Sequence, residues 1–156
     1  MIGLGLIVAA VASCPAPAVQ EPPNPVMRSL RMPWFTAEPR QLYGLMWSGR
    51  AVDGRWSLYA HGFNPVTEIS EKTMWVVDPR ARLLAGPRLR LTWRRDGRVR
   101  RVQRFGWSPD RPDGRPRRIF YPSIPNAPSP GCWKLRVKTG RIRATLRVLV
   151  QPQPRP

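Results

Sequence analysis

The stretch "CWKLRVKTGRIRATLRVLV", residues 132–150, decides the fold. Trp133, Leu135 and Val137 alternate with Lys134, Arg136 and Lys138. Beyond Thr139 and Gly140, Ile142, Ala144, Leu146, Val148 and Val150 alternate with Arg141, Arg143, Thr145 and Arg147. A period of two sends successive side chains to opposite faces of a strand, so each segment has an apolar face and a basic one. A glycine turn between two such segments predicts a hairpin with one buried side.

The same pattern extends upstream. In "PRLRLTWRR" Leu89, Leu91 and Trp93 oppose Arg88, Arg90, Thr92 and Arg94. Asp96 and Gly97 suit a two-residue hairpin turn, because glycine accepts positive φ without strain. "RVRRVQRF" then returns the chain, but Val99, Val102 and Phe105 do not alternate cleanly, which predicts a bulge or a twisted edge. Residues 41–48, 55–61 and 72–78 are further strand candidates. Seven strands in about 110 residues have the size and spacing of an immunoglobulin-like antiparallel β-sandwich, an all-β fold. The antibody signature of paired cysteines around a core Trp is absent.

From "SPGCWKLRV" through "IRATLRVLV" the chain resembles the closing hairpin of bacterial immunoglobulin-like modules: Pro-Gly, one residue, an aromatic, alternating apolar residues, a glycine turn and a β-branched final strand. The preceding "YPSIPNAPSPGCW" is similar to exported bacterial lipoproteins. The resemblance covers roughly residues 121–150 and implies a fold and an address, with no activity.

The N-terminus carries the address. Residues 2–12, "IGLGLIVAAVA", are apolar without interruption. At roughly 1.5 Å per residue they fall short of a hydrocarbon core about 30 Å thick, and they match the apolar region of a signal peptide. "VASC", residues 11–14, resembles the bacterial lipobox, although no Lys or Arg precedes the apolar run. The resemblance implies cleavage before Cys14, a diacylglycerol on its thiol and anchoring to a membrane of the cell envelope. An ordinary secretory signal cut near "APA", residues 16–18, is the alternative. Cys132 is then expected to be unpaired, buried and apolar in behaviour, since a bridge to Cys14 requires that Cys14 escape lipidation. Prolines crowd residues 15–39, so the expected organisation is a signal peptide over 1–13, a lipidated Cys and Pro-rich tether over 14–39, the sandwich over 40–150 and a Pro-rich tail over 151–156.

Chemistry is sparse. His61 is the only histidine and reads as a polar strand terminus, so neither a metal cluster nor a Cys/His nucleophile is expected. No nucleotide, zinc-protease or serine-hydrolase motif occurs, the carboxylates fall mainly in the tether and in turns, and no cofactor is expected. Charge is the loud feature. Formal net charge is +18, and of 27 basic residues only Lys72, Lys134 and Lys138 are lysine, leaving 24 arginines. Codon bias in a GC-rich genome accounts for such a skew, and so does attraction to phosphates or anionic polymers. Export disfavours nucleic acid as a partner, and no aromatic RNA-binding motif accompanies the charge. Anionic lipid, a teichoic-type polymer or a phosphorylated glycan fits better; a solvated face that protects sheet edges is the bland alternative.

Trp56, Trp93 and Trp133 share the apolar parity of their strands and belong to the core. Trp107, in "FGWSPDRPDGRP", lies between strands beside Arg111, Arg115, Arg117 and Arg118. This loop is the candidate ligand-binding edge, unless Trp107 folds back to plug the sandwich. The expected function is a lipid-anchored, non-catalytic binding module of the envelope. The alternative is a structural or assembly subunit docking on an envelope protein partner.

Overall fold

The computed structural model describes residues 14–48, 50–64, 69–109 and 118–153. The expected signal peptide, residues 1–13, lies outside them. In chain order the first strands are β1 (Trp34–Ala37), β2 (Leu42–Met46), β3 (Arg50–Val52), β4 (Arg55–Tyr59), β5 (Phe63–Asn64), β6 (Ile69–Ser70) and β7 (Thr73–Val77). They are followed by β8 (Arg88–Arg95), β9 (Arg98–Gly106), β10 (Ser108–Pro109), β11 (Ile119–Ser123), β12 (Gly131–Thr139) and β13 (Ile142–Gln151). One sheet runs β1-β2-β7-β11-β10 and the other β3-β4-β13-β12-β8-β9, with β5 and β6 as a separate pair. Pairing is antiparallel except between β13 and β4. The two sheets stack as a β-sandwich.

All seven strands read from the alternation are present, as β2, β4, β7, β8, β9, β12 and β13. The expected irregularity in β9 is a register shift: Trp93 pairs with Arg101 but Arg94 with Val99, leaving Arg100 as the extra residue on an edge strand.

Between the sheets, Phe35 of β1 stacks on Trp56 of β4 at 4.3 Å and meets Trp75 of β7 edge-on at 5.7 Å. These side chains come from both sheets and exclude water completely, each worth about 1.5–3 kcal/mol of burial. Gly44 makes the stack fit. It pairs with Phe35 across the β1–β2 ladder, and an added Cβ would fall inside the Phe35 ring. Trp93 and Trp133 form a second edge-on pair at 6.3 Å, and both are buried, as their parity predicts.

The central strands of the five-stranded sheet are buried on both faces, with every residue of β2 and β7 buried. Trp34, Tyr43, Leu45, Met74 and Val76 point away from the central core, and Val26, Met27 and Leu30 cover them. The Pro-rich segment is therefore no tether. Asn24 Oδ1 accepts bonds from the Val26 and Met27 amides at 2.8 Å and turns the chain onto the sheet. Upstream, Trp56 N donates to Pro17 O at 2.9 Å and Gln20 N to Trp34 O at 2.7 Å, so residues 17–20 step from β4 of one sheet to β1 of the other. The tail is also shorter than expected: Gln151 ends β13, and Gln153 Nε2 donates to Ala60 O at 3.1 Å.

Cys14 and Cys132 form a disulfide with a Cα–Cα distance of 5.5 Å across 118 residues. The unpaired reading of Cys132 is thereby corrected. A diacylglycerol thioether and a disulfide are alternatives at one sulfur atom, and the structure holds Cys14 in the disulfide. Physically, the folded-back segment brings Cys14 to the start of β12, where a tether would have carried it away. A bridge closing so long a loop restricts the unfolded chain, so Cys132→Ser should lower stability by about 3–5 kcal/mol. Urea unfolding of the oxidised protein and the variant measures this; coincident curves would mean that the strap is held without the bridge.

Candidate functional site

Among the described residues, nothing covers the outer face of the six-stranded sheet as residues 24–30 cover that of the other sheet. On β12, Lys134, Arg136 and Lys138 are exposed; on β13, so are Arg143, Thr145 and Arg147; on β8, Arg88 and Arg90. The inward residues of the same strands fill the core. One alternating pattern thus fixes the sandwich and the charge of its surface together.

Register arranges these side chains into rows. Arg147, Lys134 and Arg94 oppose one another across β13, β12 and β8. Arg143, Lys138, Arg90 and Arg104 do so across β13, β12, β8 and β9. Between these rows lies Thr145, Arg136 and Thr92. Directly opposed side chains on a sheet stand about 4.5–5.5 Å apart at Cβ, where like charges are destabilising. The ion pairs found among the described residues, Arg40–Glu38 at 3.5 Å and Arg80–Asp78 at 2.9 Å, use none of these cations.

The rows line a concavity of about 580 Å³, walled by Glu38 and Pro39 of the β1–β2 turn. A second hollow of about 410 Å³ shares Glu38 and Thr145 with it and continues to Lys134 and Arg147. The result is a trough with a basic floor. Glu38 is the acidic residue on its wall, and it is already paired with Arg40.

Among the described residues, the two buried carboxylates are held in bonds within the fold. Asp78 caps the short 3₁₀ turn Pro79–Leu84, and the hydrogen bonds from Arg80 hold its carboxyl below the usual carboxylate range. Glu71 is fully buried and accepts the Tyr59 amide at 2.6 Å. Among the described residues no three His, Cys, Asp or Glu side chains gather as a metal site requires. His61 follows β4 in a tight turn at φ 66° and is exposed, while Cys132 presents a disulfide and not a thiol.

The loop expected to bind ligand is only partly described: Arg111, Arg115 and Arg117 lie outside the described residues. Trp107 is 39% exposed and Arg118 half-buried. The β10–β11 ladder pairs Ser108 with Phe120 and Pro109 with Ile119, which puts Trp107 and Arg118 at its opposite ends. It does not bring them side by side. The trough is the basic site that the described residues form. Its arginine ladder is visible in the alternation, but the matching of rows across four strands depends on register, which alternation does not supply.

Opposed cations predict a measurable cost. Lys138→Glu sets a carboxylate between Arg143 and Arg90, and should raise stability by about 0.5–1 kcal/mol at low ionic strength. The gain should shrink in high salt. Urea midpoints at two salt concentrations test this, and a variant no more stable than the parent would show that solvent already screens the row. Comparison of the chain with protein-family models, curated proteins and solved structures finds no match.

Proposed function

We propose that the chain is an exported, non-catalytic binding domain of the bacterial cell envelope that holds an anionic polymer in its basic trough. One observation carries the reading: cations stand in register across up to four strands with no carboxylate between them. Such rows cost stability in the free protein and repay it when anions lie among them. The N-terminal segment covers one outer sheet face, and among the described residues none covers this one.

Shape favours a polymer over a bilayer. A lipid surface is flat and meets a convex or planar basic patch, whereas a chain of anions can lie along a trough. The apolar anchors that usually accompany membrane docking are missing from the trough's lining, where Val99 is the exposed large apolar side chain. We also read the sandwich as immunoglobulin-like. In support, β7-β11-β10 and β13-β12-β8-β9 follow the strand sequence of that fold, and the parallel β4–β13 pair suits its first strand crossing between sheets.

Export is supported from two sides. The apolar N-terminus and "VASC" have the form of a signal sequence, and disulfides persist in oxidising compartments outside the cytosol. With Cys14 bonded to Cys132, retention in the envelope would come from the trough and not from a lipid. The intact mass of protein secreted by a bacterial host tests this. We expect a mature chain lacking two hydrogens relative to its dithiol form; acyl mass on Cys14 would return the protein to a lipid anchor.

Binding is tested with inorganic polyphosphate as the probe. Affinity should fall along a straight line of log K against log salt as counterions are displaced. Arg90→Gln and Arg143→Gln should each weaken it several-fold and Glu38→Gln strengthen it, by removing or unmasking one charge. Tighter binding to anionic vesicles than to polyphosphate would favour the membrane. Affinity indifferent to these substitutions would remove the trough from consideration.

A further inference from the structure

Three outward cations follow one another along β12, and their neighbours differ. Lys134 and Lys138 each sit in a row of cations, whereas Arg136 is flanked by Thr145 on one side and Thr92 on the other. Arg136 and both threonines line the concavity, Thr145 exposed and Thr92 buried at its floor. A surface selected for charge alone has no need of this middle row. Hydroxyls add no charge, but they add donors.

A guanidinium offers two parallel N–H groups to two oxygens of one oxyanion, and each threonine hydroxyl donates one further bond. Two non-bridging oxygens of a phosphodiester can therefore each accept one N–H and one O–H. The two ester links of such a group then point away from the guanidinium and diverge, so that the polymer can run on along the strand to either side. There they meet Lys134 and Lys138, each about 6.8 Å from Arg136 at two residues of strand rise. A backbone of phosphates joined by short polyol links presents one charge to each cation in turn. Carboxylate and sulfate polymers hang their anions beside the backbone and lack this match. Nucleic acid has the backbone, but its bases find no aromatic platform among the residues lining the trough.

We propose that the occupant is a poly(polyol phosphate) chain lying along β12, with Arg136 gripping one phosphodiester between Thr92 and Thr145. This assignment rests on the reading of the trough as a polymer site. The step is binding alone, with no bond made or broken.

Titration calorimetry of the oxidised full chain with poly(glycerol phosphate), with polyglutamate of equal charge and with oligo(dT) tests it. Arg136→Lys keeps the charge and loses the fork; Thr145→Val, at an exposed position, loses one hydroxyl without disturbing the core; Thr92→Ser with Thr145→Ser keeps both hydroxyls. We expect Arg136→Lys to weaken poly(glycerol phosphate) about tenfold and Thr145→Val to weaken it by a smaller factor, both with the salt slope unchanged. The double serine variant should bind as the parent does, and polyglutamate should respond to none of them. Equal loss for both polymers, or none for either, would overturn the phosphodiester assignment and leave the trough reading standing. Tighter oligo(dT) binding would give the site to nucleic acid. A parent protein that binds no polyanion at all would end both readings.

Discussion

The structure turns on a single constraint: β2 and β7 have no polar face. "LYGLM" and "TMWVV" are apolar on both sides, so a sandwich that covered only their inner side would leave Tyr43, Leu45, Met74 and Val76 in water. At roughly 25 cal/mol per Å² such exposure is costly. The second cover comes from the chain's own N-terminal residues, with Met27 set in place by Asn24 and Trp34 tied to Glu21 O through its indole N–H at 3.2 Å. The disulfide then fixes the outermost end of this strap to β12. The two outer faces are unequal as a result, one covered by apolar side chains and the other, among the described residues, cationic and uncovered.

That inequality separates two explanations of the arginines. Codon bias sets how many there are; it has no means of choosing a register. Lys138 between Arg143 and Arg90, and Lys134 between Arg147 and Arg94, are relations among residues up to 53 apart in the chain, fixed by pairing and not by composition. The edge strand β9 shows the other use of the same residue type, where arginines and a bulge guard an unpaired backbone against another chain. One composition thus serves protection at the rim and concentrated charge at the centre.

Much of this was legible in the sequence, and the omissions have physical causes. Strict alternation marks β8, β12 and β13 because each separates water from core. β11 escapes because Pro122 argues against a strand; it is tolerated because β10 pairs only as far as Phe120, leaving that part of β11 a partner on one side only. The N-terminal segment was misread because prolines favour an extended chain whether it floats or is zipped to a sheet. The distinguishing signal was the series Val26, Met27, Leu30, Trp34 and Phe35 between those prolines, too much apolar surface for a spacer. The disulfide escaped because "VASC" is a local pattern, while nearness to Cys132 is a property of the finished fold. In the site, the separate basic faces were readable; the threonines beside Arg136 acquire meaning only once the strands are aligned.

The placement of β13 has a consequence in time. It lies at the middle of the six-stranded sheet, between β4 and β12, and its parallel partner was made some ninety residues earlier. On one side of it β4 has only the three-residue β3 and the bridge from residues 17–20 to pair with until residues 149–151 arrive, while on the other β12, β8 and β9 already pair with one another. Pairings of such long range form slowly and late. The two parts of the sheet are therefore joined only by β13, and the sandwich closes only once that strand is present.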